Sequence, residues 1–161
     1  MKEIKNVSII GMGALGVMYG SHLAHHMGFD HVTYIMDEKR YEKYKGSTVT
    51  CNGEKLSFTC VPASQAVPAD LVIVAVKSTG LTEALDTMKN CIGPDTVILS
   101  VMNGISSEEI IGEKVGESHV LYSLIKVASH KEETGYYFDP ETTIGIFFGE
   151  LQAPHDSDRV W

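Results

Sequence analysis

The chain has 161 residues, 43% of them hydrophobic, which supplies apolar material for one core and is too short for two ordinary domains. Its formal net charge of −8 argues against a general nucleic-acid-binding protein, because such proteins need a basic surface to displace counterions. No apolar run is long enough to span a membrane, and the charged start with its short apolar stretch is not typical of a signal peptide. We therefore expect a soluble, cytoplasmic protein that binds neither nucleic acid nor membranes.

Short apolar runs rich in β-branched residues alternate along the chain with segments of helical periodicity. The runs cover residues 4–10, 32–36, 71–76, 97–101 and 120–125. Because they lack polar alternation, they are typical of strands buried on both faces of a parallel sheet. Helices are predicted at residues 14–27 with Gly28 as the stop, at 81–91, and from Ser106, which forms a capping-box pattern with Glu109. This order predicts an α/β fold.

Two segments interrupt the alternation and are predicted to be antiparallel. Residues 48–61, "TVTCNGEKLSFTCV", alternate around Asn52-Gly53, which is a two-residue hairpin signal. Further on, "GYYFD" and "TIGIFFGE" surround Asp139-Pro140 and are interpreted as a second antiparallel pair. We expect a small antiparallel excursion from a mainly parallel sheet.

Cysteine and histidine side chains are interpreted as structural. Three cysteines without a Cys-x-x-Cys spacing predict buried free thiols rather than a disulfide or a zinc site. Three histidines of the first helix face away from its apolar stripe, so we expect them on the surface and predict no metal site. Tyrosines are predicted to pack at sheet edges. The residues concerned are Cys51, Cys60, Cys91, His22, His25, His26, Tyr41, Tyr44, Tyr136 and Tyr137.

The stretch "VSIIGMGALGVMYGSHLAHHMG" places Gly11, Gly13 and Gly16 between the first predicted strand and the first predicted helix. A Gly-x-Gly-x-x-Gly spacing in this context is the dinucleotide-binding fingerprint. The first glycine permits a tight turn, the second leaves room for a pyrophosphate, and the third lets helix and strand approach closely. Free amide hydrogens at the helix start then attract the phosphates, although a turn with only a structural role remains the alternative.

The second predicted strand is followed by Asp37, where an acidic side chain accepts hydrogen bonds from an adenosine ribose. This position favours NAD. Lys39 and Arg40 follow at once and are candidates to bind the 2′-phosphate of NADP. The alternative is an exposed charged turn, and the choice of cofactor stays open at this point.

Polar residues also follow the later strands, where ligands of open α/β sheets bind. "LVIVAVKS" places Lys77 after one apolar strand and "VILSVMNG" places Asn103-Gly104 after another. The lysine could orient a substrate carbonyl or contact the cofactor, and the amide could hold a ribose or a substrate hydroxyl. A surface lysine and an Asn-Gly turn are the structural alternatives.

In this order, the glycine loop, "AVKS" and "NGI" resemble the N-terminal domain of the ketopantoate reductase (2-dehydropantoate 2-reductase) family. The likeness spans residues 4–150, since "TIGIFFGE" is similar to the strand that closes that domain. It implies a Rossmann-like, doubly wound domain at residues 1–150, with residues 151–161 as a polar tail or the start of a linker. It also implies an NADPH-dependent oxidoreductase of pantothenate biosynthesis that reduces a small 2-oxo acid.

The resemblance further implies roles for individual residues. Lys77 is expected to contact the cofactor and line the catalytic cleft, Asn103 to contact cofactor and substrate, and Ala128 in "KVASH" to make a backbone contact near the nicotinamide. The residues expected to hold the dinucleotide are Gly11, Met12, Gly13, Ala14, Leu15, Gly16, Asp37, Lys39, Arg40, Lys77, Asn103 and Ala128. The resemblance implies NADP as the cofactor. Family members commonly have an arginine for the 2′-phosphate where this chain has Asp37, so NAD is the alternative, and Lys39 or Arg40 could take the place of that arginine.

Length is the second difference from the family. Its members continue into a helical domain that supplies a catalytic lysine and a substrate-binding glutamate, and no segment of this sequence is expected to form that domain. Whether the chain is an enzyme by itself is left open, and a stand-alone nucleotide-binding module or subunit is the alternative function. A different adenosine ligand, such as an acyl-CoA or a nucleotide sugar, is also compatible with the glycines.

We expect a homo-oligomer or a partner helical domain to cover apolar surface that the chain leaves exposed.

Overall fold

Strands and α-helices alternate in a computed structural model, which describes residues 3–103, 106–143, 145–151 and 160. The α-helices are α1 (Ala14–Met27), α2 (Glu38–Tyr44), α3 (Leu81–Met88) and α4 (Ser107–Val115). The strands are β1 (Val7–Ile10), β2 (Val32–Met36), β3 (Val49–Cys51), β4 (Glu54–Leu56), β5 (Thr59–Pro62), β6 (Leu71–Val74), β7 (Val97–Ser100), β8 (Val120–Lys126), β9 (Ser129–Glu132), β10 (Gly135–Phe138) and β11 (Gly145–Gly149).

The main sheet has seven strands in the order β11-β8-β7-β6-β1-β2-β5. All neighbouring pairs are parallel except β11 with β8. Because β1 pairs with β2 on one side and β6 on the other, the strand order reverses there, as in doubly wound dinucleotide-binding sheets. The predicted α/β, Rossmann-like fold is confirmed.

Apolar strands are needed here because helices cover both faces of the sheet. Successive strand residues point to opposite faces, so Ile9 packs in the core on the α1 side and Ile10 in the core on the α3 side. Val17 of α1 belongs to the first core, and Met88 of α3 and Ile111 of α4 belong to the second. This double burial explains why the strands show no polar alternation.

A second sheet of four strands, ordered β4-β3-β10-β9, covers the outer side of α1. The hairpin of β3 and β4 turns at Asn52 (φ 47°) and Gly53 (φ 84°), which confirms the predicted turn. The prediction is wrong beyond Leu56, because Thr59–Pro62 leaves the hairpin as β5 and pairs in parallel with β2. The reason is that Val61 aligns with Ile35 and extends the buried face of the main sheet.

The predicted pairing of "GYYFD" with "TIGIFFGE" is also wrong. β10 pairs with β9 across a tight turn, whereas β11 pairs with β8 in the main sheet. Gly135 has φ 153° and a Cβ there would meet the Thr50 carbonyl oxygen at 2.7 Å, so this glycine lets β10 approach the hairpin. Ile146 aligns with Ile125 and packs with it toward the α1 core, which places β11 on the free edge of β8.

The capping box predicted at Ser106 does not form. Ser106 has φ −107° and ψ −7°, and its side chain accepts no hydrogen bond from the helix start. Ser107 instead donates to Glu108, and both are buried. The second predicted helix also ends early, at Met88, and a 3₁₀ turn follows at Lys89–Cys91.

Other expectations about side chains are confirmed. Cys51 and Cys91 are buried free thiols, and Cys60 is half-buried and free. His22, His25 and His26 are exposed on α1, which ends at Met27 with the Gly28 amide donating to the Ala24 carbonyl oxygen. None of the helices in the described ranges combines the length and apolar character that crossing a lipid bilayer requires.

Candidate functional site

Residues singled out in the sequence lie along one edge of the main sheet, where the parallel strands end. In spatial order, the loops after β8, β7, β6, β1 and β2 carry Ala128, Asn103, Lys77, the glycine loop and Asp37. The switch in strand order lies between β1 and β6, so the glycine loop and Lys77 flank the crevice where ligands of such sheets bind.

Two of the three loop glycines are required by the protein's own packing. A Cβ on Gly11 would lie 2.5 Å from the Ala75 carbonyl oxygen, and its φ is 108°. A Cβ on Gly16 would lie 1.9 Å from the carbonyl oxygen of Gly11. Because these two residues have no side chain, the first turn of α1 can pack closely against β1 and β6.

Gly13 differs from both neighbours in the motif. A Cβ built there meets no atom of the described ranges within 4 Å, and the Gly13 φ of −91° is accessible to any residue. The Gly13 carbonyl oxygen accepts from the Val17 amide at 2.8 Å and starts α1. Packing therefore gives no reason for a glycine at this position, and the open space lies directly at the start of a 14-residue helix.

The start of α1 is also available to an anion. Within the described residues, no side chain caps it and its first turn holds no acidic residue. Met12 and Leu15 are partly buried and pack against the α1 core. Amide hydrogens at such an end carry a partial positive charge.

Asp37 and Arg40 are brought together, but the carboxylate is already engaged. Asp37 caps α2, with Oδ1 accepting from the Arg40 amide at 2.9 Å and Oδ2 lying 3.0 Å from Arg40 Nη1. The other guanidinium nitrogen, Nη2, lies 3.3 Å from Glu83 Oε2 on α3. Lys39 is exposed and faces a neighbouring cavity of about 650 Å³ that Arg40 and Glu83 also line.

The crevice contains a cavity of about 320 Å³, within the size range of ligand pockets. Gly11 and Gly13 line it on one side, Met36 and Arg40 on the second, and the segment from Ala75 to Gly80 on the third. Its walls are mostly apolar, with the charges of Arg40 and Lys77 at the rim. This composition suits a flat apolar group joined to an anion.

Lys77 and Asn103 follow neighbouring strands, β6 and β7, and both are exposed. Lys77 precedes a 3₁₀ turn, Ser78–Gly80, whose Gly80 amide donates to the Lys77 carbonyl oxygen at 2.8 Å. The rest of the "NGI" motif, Gly104 and Ile105, lies outside the described residues, as does most of the predicted tail at 151–161. Ala128 is exposed between β8 and β9.

A buried polar network supports the loop that carries Asn103. Ser100 Oγ donates to Ser107 Oγ at 2.8 Å, and Ser107 Oγ donates to Glu108 Oε2 at 2.7 Å. The Ser123 amide of β8 donates to Glu108 Oε1 at 3.3 Å, and the Ser123 hydroxyl donates to the Ser100 carbonyl oxygen. The network ties the ends of this loop to β7 and β8.

Two further residues near the site were not among the candidate site residues that the sequence indicated. The Tyr136 hydroxyl of β10 donates to the Met12 carbonyl oxygen at 3.2 Å, which links the second sheet to the glycine loop. Tyr136 was predicted only to pack, and it also does so in the α1 core. Glu83 gave no signal at all, because its partner Arg40 is 43 residues away.

Comparisons with known proteins extend over almost the whole chain. A family model described as ketopantoate reductase PanE/ApbA matches residues 7–149. The uncharacterized oxidoreductase YkpB of Bacillus subtilis is 26% identical over 146 residues, which cover 88% of this chain and 48% of that protein. A 2-dehydropantoate 2-reductase of Nostoc is 27% identical over 139 residues, which cover 82% of this chain and 42% of that protein. The chain thus spans about half the length of the curated relatives it matches.

A solved structure also matches nearly the whole of this chain and about half of its own length. The crystal structure of 2-dehydropantoate 2-reductase from Geobacter metallireducens matches with a TM-score of 0.74 at 24% identity. The match covers 96% of this chain and 52% of that one. At this identity the likeness establishes a shared fold.

Proposed function

This chain belongs to the ketopantoate reductase PanE/ApbA family, and on that premise we propose that its glycine loop binds the pyrophosphate of a nicotinamide dinucleotide. The family resemblance stated from the sequence motifs is confirmed, and the chain corresponds to the N-terminal, NAD(P)-binding domain of these oxidoreductases. The boundary of this domain at residue 150 stays a prediction.

The open space at Gly13 is the observation that carries the proposal. Gly11 and Gly16 have steric reasons to be glycine, but among the residues that the structure describes Gly13 has none. A ligand that approaches the backbone closely, and so excludes a side chain, explains the glycine at position 13. A pyrophosphate fits this requirement because it would accept hydrogen bonds from the free amide groups at the start of α1.

The adenosine half of the cofactor is assigned to the cavity between Arg40 and the segment from Ala75 to Gly80. We propose NADP(H), with Arg40 and then Lys39 binding the 2′-phosphate, because Asp37 is committed to capping α2 and to Arg40. A free acidic side chain would be needed to accept from the ribose of NAD. We also propose that the protein is cytoplasmic.

For the complete protein we propose the reduction of a small 2-oxo acid such as 2-dehydropantoate. Bound NADPH would supply a hydride to the carbonyl carbon. Lys77 and Asn103 follow neighbouring strands beside the glycine loop, and we assign them to positioning the nicotinamide end and the substrate carbonyl. Ala128, at the end of the next strand, would contact the same end through its backbone. The family resemblance assigns the proton donor to a second, helical domain.

Calorimetric titration of Gly13→Asp with NADPH and NADH tests the assignment. The aspartate would fill the phosphate position with a side chain and a like charge, so we expect affinity to fall by about tenfold or more while thermal unfolding stays unchanged. Val67→Asp is the matched control, since it adds the same charge at an exposed position before β6, at the opposite edge of the sheet. Unaltered binding by Gly13→Asp would overturn the site, and a wild-type chain that binds neither dinucleotide would overturn the cofactor class.

A further inference from the structure

One ion pair crosses the crevice above the end of β1. Arg40 lies on α2, which follows β2, and Glu83 lies on α3, which follows β6. These two strands flank β1 on opposite sides, so the contact of 3.3 Å between Arg40 Nη2 and Glu83 Oε2 spans the crevice just where the glycine loop begins. Arg40 lines the cavity of the glycine loop and also the cavity that contains Glu83.

The two carboxylates that hold Arg40 are not equivalent. Asp37 also accepts from the Arg40 amide and so belongs to the start of α2. Within the described part of the chain, the Glu83 carboxylate is paired with Arg40 alone, and its side chain is 70% exposed. Removing the Glu83 carboxylate therefore frees one side of the guanidinium and leaves the helix cap in place, whereas removing the Asp37 carboxylate would also remove the cap of α2.

A phosphate and a hydroxyl place different demands on Arg40. A 2′-phosphate is bound best by two guanidinium nitrogens at once, and both terminal nitrogens are engaged by carboxylates. A ribose 2′-hydroxyl needs no guanidinium. Carboxylates that compete with the 2′-phosphate for Arg40 therefore lower the affinity for NADP(H) and leave the affinity for NAD(H) unchanged.

We propose that Glu83 is a specificity-determining residue, which lowers the affinity for NADP(H) relative to NAD(H) by holding Arg40 away from the 2′-phosphate. This inference rests on the proposed function, because it concerns the adenosine end of the same dinucleotide. An exposed ion pair of this kind changes a binding constant by about two- to fivefold. Glu83 acts through Arg40 and has no assigned contact with the cofactor.

Calorimetric titration of the full chain with NADPH and NADH, at one fixed salt concentration, tests the inference. We expect Glu83→Gln to raise NADPH affinity by about two- to fivefold and to leave NADH affinity unchanged. Asp86→Asn is the matched control, because Asp86 lies one turn further along α3 and lines the same cavity, so its loss changes the local charge equally without releasing Arg40. We also expect Glu83→Gln to have no effect in an Arg40→Gln background, as a double-mutant cycle requires for residues that act as a pair.

The outcomes separate this inference from the proposed function. Equal gains for both cofactors, the same gain from Asp86→Asn, or a gain that persists in the Arg40→Gln background would each overturn the role of Glu83 while the dinucleotide site stands. A wild-type chain that binds neither cofactor would overturn the proposed function and this inference with it. A gain confined to NADPH and dependent on Arg40 would establish the role.

Discussion

The Tyr34 side chain lies beneath α1 and leaves no room for a methyl group on Gly20. Tyr34 of β2 is fully buried and its hydroxyl donates to the Gly16 carbonyl oxygen at 2.7 Å. A Cβ on Gly20, one turn along, would lie 1.9 Å from the same hydroxyl oxygen. Burial also raises the pKa of Tyr34 far above its ordinary value, so the group stays a neutral donor. Gly20 thus lets the Tyr34 side chain of the sheet reach the Gly16 carbonyl oxygen in the helix backbone.

Gly20→Ala is expected to destabilise the protein, although alanine normally favours a helix interior by about 0.5–1 kcal/mol over glycine. Overlap with Tyr34 costs about 1–3 kcal/mol and outweighs that gain. Tyr34→Phe alone should cost about 0.5–1.5 kcal/mol for the lost hydrogen bond. Tyr34→Phe removes the hydroxyl oxygen, which overlaps most, and leaves the ring carbon Cζ 2.8 Å from the added Cβ. We therefore expect the double variant to lose less stability than the two single losses together, as measured by denaturant unfolding. Additive losses would contradict this steric account.

Elements far apart in the sequence hold the glycine loop in place. The second sheet lies across α1, and Tyr136 of β10 fixes the Met12 carbonyl oxygen from 124 residues away. The Lys131 ammonium lies 5.6 Å from the centre of the Tyr136 ring, which adds a second contact to this side chain. The sheet therefore positions the loop as well as covering the helix.

Tyr136→Phe is expected to weaken dinucleotide binding by about two- to tenfold, because a neutral hydrogen bond is worth about 0.5–1.5 kcal/mol and its loss frees the loop. Tyr137→Phe is the control, since the Tyr137 hydroxyl pairs with Thr134 Oγ1 at the exposed turn instead. Calorimetry measures the affinity, and thermal unfolding reports any general loss of packing. Equal effects of the two variants on binding would argue against a positioning role for Tyr136.

The end of α1 is joined to the second sheet through His25. Its Nδ1 donates to the Ser21 carbonyl oxygen at 2.7 Å, and Nε2 lies 3.1 Å from Glu54 Oε1 on β4. The hydrogen bond to Ser21, and then the contact with Glu54, raise the pKa of His25 above its ordinary value of 6.5. Since the folded-state pKa is the higher one, this contact stabilises the fold below the unfolded-state pKa and is lost as pH rises through the folded-state value.

Glu54→Gln should therefore lower the pKa of His25 without returning it fully to 6.5, because the Ser21 carbonyl oxygen still accepts from the ring. An NMR titration of the histidine ring protons measures this directly. A Glu54→Gln variant whose His25 pKa equals that of the wild type would show that Glu54 makes no contribution.

Helices and strands whose bounds depend on local sequence patterns could be predicted. Strand pairings and contacts that depend on partners far away in the sequence could not. β2 and α1 were predicted with the bounds observed, because apolar runs, helical spacing and Gly28 are local signals. β5 and β11 were misassigned because short strands join whichever edge buries their apolar side chains, and that edge is built elsewhere in the chain. Similarly, the sequence predicted Asp37 and Arg40 as candidates but could not reveal that Glu83 would reach across to Arg40.

At the scale of the whole molecule, the sheet buries two cores but leaves apolar side chains exposed near its β11 edge. Leu124 of β8 and Phe147 of β11 are cross-strand partners, 68% and 56% exposed, on the face opposite Ile125 and Ile146. Adjacent exposed apolar side chains next to a sheet edge favour association. We propose that this is the surface that needs a partner, and its occupant stays a prediction.

We expect the chain to self-associate through this surface, so that its weight-average sedimentation coefficient rises with concentration. Replacing both partners, Leu124→Ser with Phe147→Ser, removes the apolar pair and should abolish most of that rise, because polar side chains there leave water in place. Val67→Ser is the control, since Val67 is 70% exposed and lies before β6, away from β11. Sedimentation velocity over a concentration series measures this rise for each variant, and circular dichroism checks that each variant folds. A monomeric wild-type chain at every concentration, or a rise that survives the double substitution, would show that Leu124 and Phe147 do not drive association.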